Sequence, residues 1–499
     1  MNFKNYFDNY VCIKLLSQKM KTYYFTLITF LFALSVFSQT ENKDHSNALK
    51  LVEVWLESQK DFDRLPGLTA VIVHDQDVIW SGGFGFANVD SKLKAKASTV
   101  CSICSISKLF TAVAIMKLYD EGKLRLDDEI NDLLPNYQLK QNFEESGPVN
   151  VRTLLTHSSG LPREVDFPYW TGPDFSFPTK EEISEKLVGQ NMLYPASTYL
   201  QYSNLGFAIL GEIVEEISGI SYEQYIQEHI LKPLNLLRTQ VSLQNQQYGT
   251  QLAIGYSAIA RKGKREKMKA FQTKGMSPAA GFYSNVMDLA KFASWQFRLR
   301  DGSITDILKP ATLKSMQRVH WNNPDWKSTW GLGFSVYQGK NGNTWVGHDG
   351  SCPGYNSTIR IDLNRELAFV VMINANGTVP RKYANGINSI LSKVKPSFKE
   401  SNANKLFDLS QYVGYYSQMP WWGEVYVSEW DGLLVSLSLP SEHPGNSMTF
   451  YKHIKDDTFR RIRNNGELGE TRVFQRDKKG RIFSFKQHGN YSRKIINEK

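Results

Sequence analysis

Ser105-Ile106-Ser107-Lys108 places a hydroxyl and an amine three residues apart, at the start of an apolar stretch that reads as a helix. Residues i and i+3 share a helix face, so the Lys108 ammonium can fold back onto the Ser105 hydroxyl. A serine hydroxyl is a weak nucleophile at neutral pH until a neighbour accepts its proton, and an amine in a partly dry pocket can do that. Ser-x-x-Lys alone arises by chance in long chains. Two later segments, Tyr202-Ser203-Asn204 and His348-Asp349-Gly350, add to it. Taken singly, Tyr202 reads as a packed tyrosine and His348 as a hydrogen-bonded surface histidine. Together the three segments hold a nucleophile, proton carriers and backbone donors, the set that acyl transfer needs.

Positioning these groups falls to the surrounding elements. A helix is expected over residues 105–121, stopped by Gly122. Its apolar residues (Leu109, Phe110, Val113, Ile115, Met116, Leu118) point nearly all round, which marks a buried helix. Its N-terminal amides favour negative charge developing beside Ser105. Upstream, an amphipathic helix over 48–59 leads to two strands, 68–74 and 78–86, around Asp75-Gln76-Asp77. Gly82-Gly83-Phe84-Gly85 is too short and wrongly placed for a phosphate loop and reads as strand glycines. Further helices are expected at 151–155, 180–188, 206–218, 221–231 and 285–296, and strands at 332–337, 356–362 and 368–374. Strands at both ends with helices between imply an α+β layout: one antiparallel sheet whose edges come from distant parts of the chain.

Residues 395–404 turn polar and lose periodicity, as a linker does. Beyond them alternation returns in short runs such as Leu433-Leu-Val-Ser-Leu-Ser-Leu439 and Thr458-Phe-Arg-Arg-Ile462, which fit a small all-β barrel or sandwich. With 499 residues, two folded units and a targeting segment are expected. The apolar run 23–37 follows Lys21 and ends Val36-Phe37-Ser38, which reads as a signal peptide cut between Ser38 and Gln39. An uncleaved membrane anchor is the other reading of this run, and residues 1–19 are an over-extended start or a long leading region. The divisions are therefore 1–38 signal peptide, 39–395 first domain, 396–404 linker and 405–499 β-domain. Export puts the protein in the periplasm or outside the cell.

The net charge of +10 is spread out; its densest patch, Arg261 to Lys267, reads as a solvated loop, with contact to the cell envelope left open. No nucleic-acid signature accompanies it. Cleavage would remove Cys12 and leave Cys101, Cys104 and Cys352, an odd number that makes no disulfide framework. The plain reading is small buried side chains, with a Cys104–Cys352 or Cys101–Cys104 disulfide as the alternatives in an oxidising compartment. None of the nine histidines has metal-ligand spacing, so no metal or other cofactor is expected.

Over residues 45–395, motif order and flanks resemble the serine β-lactamase-related hydrolases, which include class C β-lactamases, D-alanyl-D-alanine carboxypeptidases, D-amino-acid peptidases and several esterases. The flanks are Leu154-Leu-Thr-His157-Ser-Ser-Gly160, Ala279-Ala-Gly281-Phe-Tyr-Ser and Trp330-Gly-Leu-Gly333. The resemblance implies a β-lactamase/transpeptidase-like antiparallel sheet with helices, and a cofactor-free acyl-enzyme hydrolase. It implies that Ser105 is acylated, that Lys108 and Tyr202 share the proton traffic, and that Asn204 holds Lys108 or bonds a substrate amide. The oxyanion hole would be the N–H groups of Ser105 and Ser351, with Gly350 bare so that substrate can lie against the strand. His157 would organise a loop. Family members with β-lactam or D-alanine substrates usually carry lysine where this chain has His348, so carboxylate capture weakens here. The expected substrates are peptides or esters lacking that carboxylate, with β-lactams least favoured. The aromatic loop Phe167-Pro-Tyr-Trp170 to Phe177 lines the cleft in relatives, hinting at a ring-bearing substrate; such loops also pack on themselves. The β-domain caps the cleft or binds a surface ligand. The rival reading is a non-catalytic penicillin-binding-like sensor that kept the fold. Nothing in the sequence sets the oligomeric state.

Overall fold

The computed structural model describes residues 45–137, 139, 141–242, 247–326, 328–339, 341–394 and 407–495. The signal peptide, Cys12 and the linker at 396–404 fall outside the described residues. Helix α1 (Ser46–Phe62) precedes a hairpin of β1 (Gly67–His74) and β2 (Asp77–Asn88). Helices α2 (Ser107–Asp120), α3 (Asn204–Ser218) and α4 (Val286–Asp301) follow, with shorter helical turns between them. The chain then returns through β3 (Ser335–Gln338), β4 (Thr344–Cys352), β5 (Tyr355–Asp362) and β6 (Leu367–Ile373) to α5 (Pro380–Leu391).

These strands form one antiparallel sheet with β1 paired to β6, Val71 opposite Val370. Its edges are the short strands Leu93–Lys94 and Trp321–Asn322, distant in sequence as expected. Side chains alternate along each strand, so the sheet divides two cores. Val71 and Val73 pack toward α2 and α4, while Leu68, Ala70 and Ile72 pack with Trp55 of α1 and Tyr383 of α5. Gly386 is needed at the second contact, since a Cβ there would lie 2.0 Å from the Trp55 ring.

The single helix expected over 105–121 is two pieces. Cys104–Ile106 is a 3-10 turn, and the α-helix begins at Ser107. Cys104 sits at φ 51°, a left-handed conformation that costs a non-glycine residue about 1–2 kcal/mol and bends the chain before the helix. The strand β4 and the helices Pro310–Met316 and α5 were not expected from the sequence. Proline is at the first turn of both helices, where its missing N–H leaves no bond unmade.

Residues 414–493 form eight antiparallel strands in a meander, from Gly414–Ser417 to Asn490–Arg493. A bridge between Tyr416 and Lys494, with the Ile495 N–H donating to the Tyr415 carbonyl at 2.7 Å, nearly closes it into a barrel. Its interior holds Tyr412, Tyr416, Phe459, Phe474 and Phe485. Tyr426, Val435 and Leu437 instead join the core around Trp55, so the barrel rests on α1 and α5. That is the sheet face turned away from α2, and among the described residues none of the barrel lines the cleft at Ser105.

Candidate active site

Ser105 opens onto a cleft of about 580 Å³ lined also by Tyr202, Trp330, His348 and Ser351. Three restraints hold the bend that carries it. The Ile103 N–H donates to the Phe282 carbonyl at 2.9 Å. The Ser107 hydroxyl donates to the Cys104 carbonyl at 2.5 Å and accepts from the Phe282 N–H at 3.0 Å. A disulfide joins Cys104, just before the nucleophile, to Cys352, just after Ser351. This replaces the plain expectation of unpaired buried thiols; among the described residues only Cys101 stays free, its thiol pushed up to about 12 by burial. Spacing could not reveal the bond, because the two cysteines are 248 residues apart.

Gly350 has a different reason from the one expected. A Cβ on it would lie 2.1 Å from the Ile103 carbonyl oxygen and 2.3 Å from the Ser357 hydroxyl. The missing side chain lets β4 lie against the nucleophile bend, rather than clearing room for a substrate.

Lys108 is fully buried, the second residue of α2. Its Nζ is 2.7 Å from Asn204 Oδ1, 2.8 Å from the Ala279 carbonyl and 3.3 Å from Ser105 Oγ. Burial pushes its pKa well below the usual lysine range; Glu164 opposes that shift and Arg163 adds to it. Asn204 spends both ends of its amide within the protein. Oδ1 accepts from Lys108, and Nδ2 donates to Glu164 at 2.6 Å. Of its two expected roles, the geometry is that of holding Lys108. Glu164 also accepts from the Tyr169 hydroxyl and pairs with Arg163 at 3.2 Å.

The Tyr202 ring lies 4.8 Å from Lys108 Nζ, and its hydroxyl is hydrogen-bonded to Ser105. Burial pushes the phenol pKa upward. His157 backs it: the rings are 4.2 Å apart, and His157 Nδ1 accepts from the Ser203 N–H at 3.1 Å. His348 bonds the Asp349 carbonyl through Nδ1 at 2.6 Å, which puts the proton there. Its buried Nε2 is then an acceptor without a partner among the described residues. Burial, then Lys108, pushes its pKa down to about 3, so the ring is neutral.

Sequence reasoning missed Glu164, the Ala279 carbonyl and three arginines that line the cleft, Arg163, Arg360 and Arg381. The adjacent charges Arg163-Glu164, just after Leu161-Pro162, were the one available signal. The aromatic loop, in contrast, turns on itself. Tyr169, Trp170 and Phe177 stack on one another and Phe177 on Phe271, and none of the four reaches the cleft.

Residues 55–389 match the family model described as Beta-lactamase. The chain is 24% identical over 343 residues to "Protein flp" of Staphylococcus aureus (strain MW2), covering 68% of this chain and 65% of that protein. It thus spans just under two thirds of the length of this curated relative. Among solved structures it is similar to the octameric penicillin-binding protein homologue from Pyrococcus abyssi, with TM-score 0.60, 26% identity, and 89% of this chain and 99% of that chain covered. A D-stereospecific amidohydrolase from Streptomyces sp. shares the fold at TM-score 0.54 and 21% identity, over 66% of this chain and 94% of that chain.

Proposed function

The chain belongs to the Beta-lactamase family, and from that premise we propose that it is a serine hydrolase that cleaves an amide or ester through an acyl-enzyme on Ser105. The observation that carries this reading is how the amine's bonds are spent. Burial pushes its pKa down and so favours the neutral amine, which has two hydrogens and one lone pair. The hydrogens go to Asn204 Oδ1 and the Ala279 carbonyl, which leaves the lone pair for the Ser105 hydroxyl 3.3 Å away.

In the step this supports, Ser105 Oγ bonds the substrate carbonyl carbon and its proton passes to Lys108. The carbonyl oxygen takes the negative charge, facing the N–H groups of Ser105 and Ser351. Strand alternation supports the second donor. Cys352 and Tyr355 close a two-residue turn, so Cys352, Gly350 and His348 bond to β5 and the Ser351 N–H points to the other edge. That edge is open, because β3 begins only at Ser335, opposite Gly347. The tetrahedral intermediate then collapses, and the leaving group takes a proton from Tyr202, whose raised pKa keeps it a phenol. Water releases the acyl group by the reverse proton path. His348 is neutral and captures no anion, which leaves β-lactams and terminal D-alanine less favoured at this position.

Export to the periplasm or beyond belongs to the same reading. Its supports are the apolar run at 23–37 and the Cys104–Cys352 disulfide, which suits an oxidising compartment. The test is a panel of D-alanyl peptides, amino-acid amides, short-chain esters and nitrocefin against wild type and Ser105→Ala. A fluorophosphonate adduct mapped to Ser105, and loss of turnover in the variant, are expected. Undiminished turnover by Ser105→Ala would remove Ser105 from the mechanism.

A further inference from the structure

Three arginines line the cleft, and two of them are neutralised where they stand. Arg163 pairs with Glu164 at 3.2 Å and Arg381 with Asp349 at 2.7 Å. Arg360 is different. It lies on β5 opposite Gly347, its guanidinium 4.4 Å from the Tyr337 ring and 5.6 Å from the Trp345 ring. Among the described residues it makes no ion pair and no hydrogen bond, and its Nε is buried without an acceptor. Holding a guanidinium partly out of water without a counter-charge is unfavourable. Cation–π contact with the two rings offsets only part of that. The one other charge acting strongly on Arg360 is Arg381, which is repulsive; burial and that repulsion push the guanidinium down to about 9, still charged at neutral pH.

The lining of the cleft that holds Ser105 includes Arg360, which alternation puts on the face of β5 opposite to Ile359 and Ile361, away from the core around α2. This part of the cleft is short of one negative charge. We propose that Arg360 binds a carboxylate carried on the substrate, so that the preferred esters or amides are anionic at a position remote from the scissile bond. A planar guanidinium between aromatic rings presents a fixed fork to a carboxylate. This inference rests on the serine-hydrolase reading and narrows its substrates to those with a carboxylate away from the scissile bond, not the one that a cation in place of His348 would hold.

The test compares p-nitrophenyl phenylacetate with two esters of the same frame, one carrying a para-carboxylate on the acyl ring and one carrying a carboxylate on the nitrophenyl ring. Wild type should favour one carboxylated ester over the neutral ester by about 10- to 100-fold in kcat/KM, the range of one charge-assisted hydrogen bond. In Arg360→Gln that ratio should fall toward one through KM, and Arg360→Lys should restore part of it. Equal ratios in wild type and Arg360→Gln, or no preference in wild type for either carboxylated ester, would overturn the proposal. Failure of the hydrolase reading is recognised separately, as turnover that survives Ser105→Ala. Titration calorimetry with 4-carboxyphenylacetate against phenylacetate then decides the Arg360 site without turnover: tighter binding of the dianion in wild type, abolished in Arg360→Gln, supports it, and equal binding overturns it.

Discussion

Two buried basic side chains, one in each folded unit, make the useful comparison. Lys108 lies at the base of the cleft, and Arg472 lies inside the barrel. Burial pushes the pKa of both downward, and neutral acceptors surround both. Arg472 bonds Gln487 Oε1 at 3.0 Å and the Tyr451 hydroxyl at 2.8 Å, with its guanidinium 4.1 Å from the rings of Tyr451 and Phe485. All of those contacts close within the barrel. Lys108 spends two bonds in the same way, but its third faces a hydroxyl on a cleft. A buried charge is therefore not itself the mark of a site. The mark is a remaining bond that points at a reactive group open to substrate.

The comparison breaks most readily at Lys108. Lys108→Met should lower kcat/KM by roughly 10³-fold, within the range for losing a general base, and the folded state should survive. The acid limb of the rate profile tests the same assignment. Because Lys108 titrates below its usual range when folded, the rate should fall as pH drops through that lowered value and the amine gains a proton. The unfolded chain binds more protons across that window, so unfolding free energy should rise with pH there and be lost as pH falls. No limb near 6.5 is expected from His348, held at about 3. A profile that falls only on the alkaline side would discard Lys108 as the base.

The covalent clamp gives the next effect. The first unit carries Cys104–Cys352, whereas no cysteine lies beyond residue 352. Replacing both by serine should cost about 2–5 kcal/mol, read by denaturant unfolding. Reductant should reproduce the loss in wild type, with the signal from barrel tryptophans last to respond. Identical midpoints with and without reductant would show that the clamp contributes nothing.

Arg472→Met sharpens the contrast at the smallest scale. It leaves the Tyr451 hydroxyl and Gln487 without their donor, a loss of about 1–3 kcal/mol in stability. Turnover should stay within about twofold, because Arg472 lies far from the cleft lining. A fall in kcat/KM like that of Lys108→Met, with the fold intact, would erase the distinction between the two basic side chains.

Much of this was legible in the letters. Strands Leu433–Leu439 and Thr458–Ile462 begin and end where alternation placed them. Ser105 and Lys108 meet because three residues make one helical turn. Strand β4 was not legible: Gly347 and Gly350 interrupt its apolar pattern, and both are there because backbone oxygens occupy the Cβ positions. The aromatic loop misled for the opposite reason, since a run of rings looks the same whether it faces a ligand or itself.

Periodicity and spacing are local properties, and they determined the elements, the helix that carries Lys108 and the residue types available for acyl transfer. Only the folded chain decided the partners, since Lys108 finds Asn204 across 96 residues and Ala279 across 171. It also decided which arginine would be left without a carboxylate. Long-range contacts of this kind depend on how the sheet and helices pack around one another, and no short window of sequence contains that information.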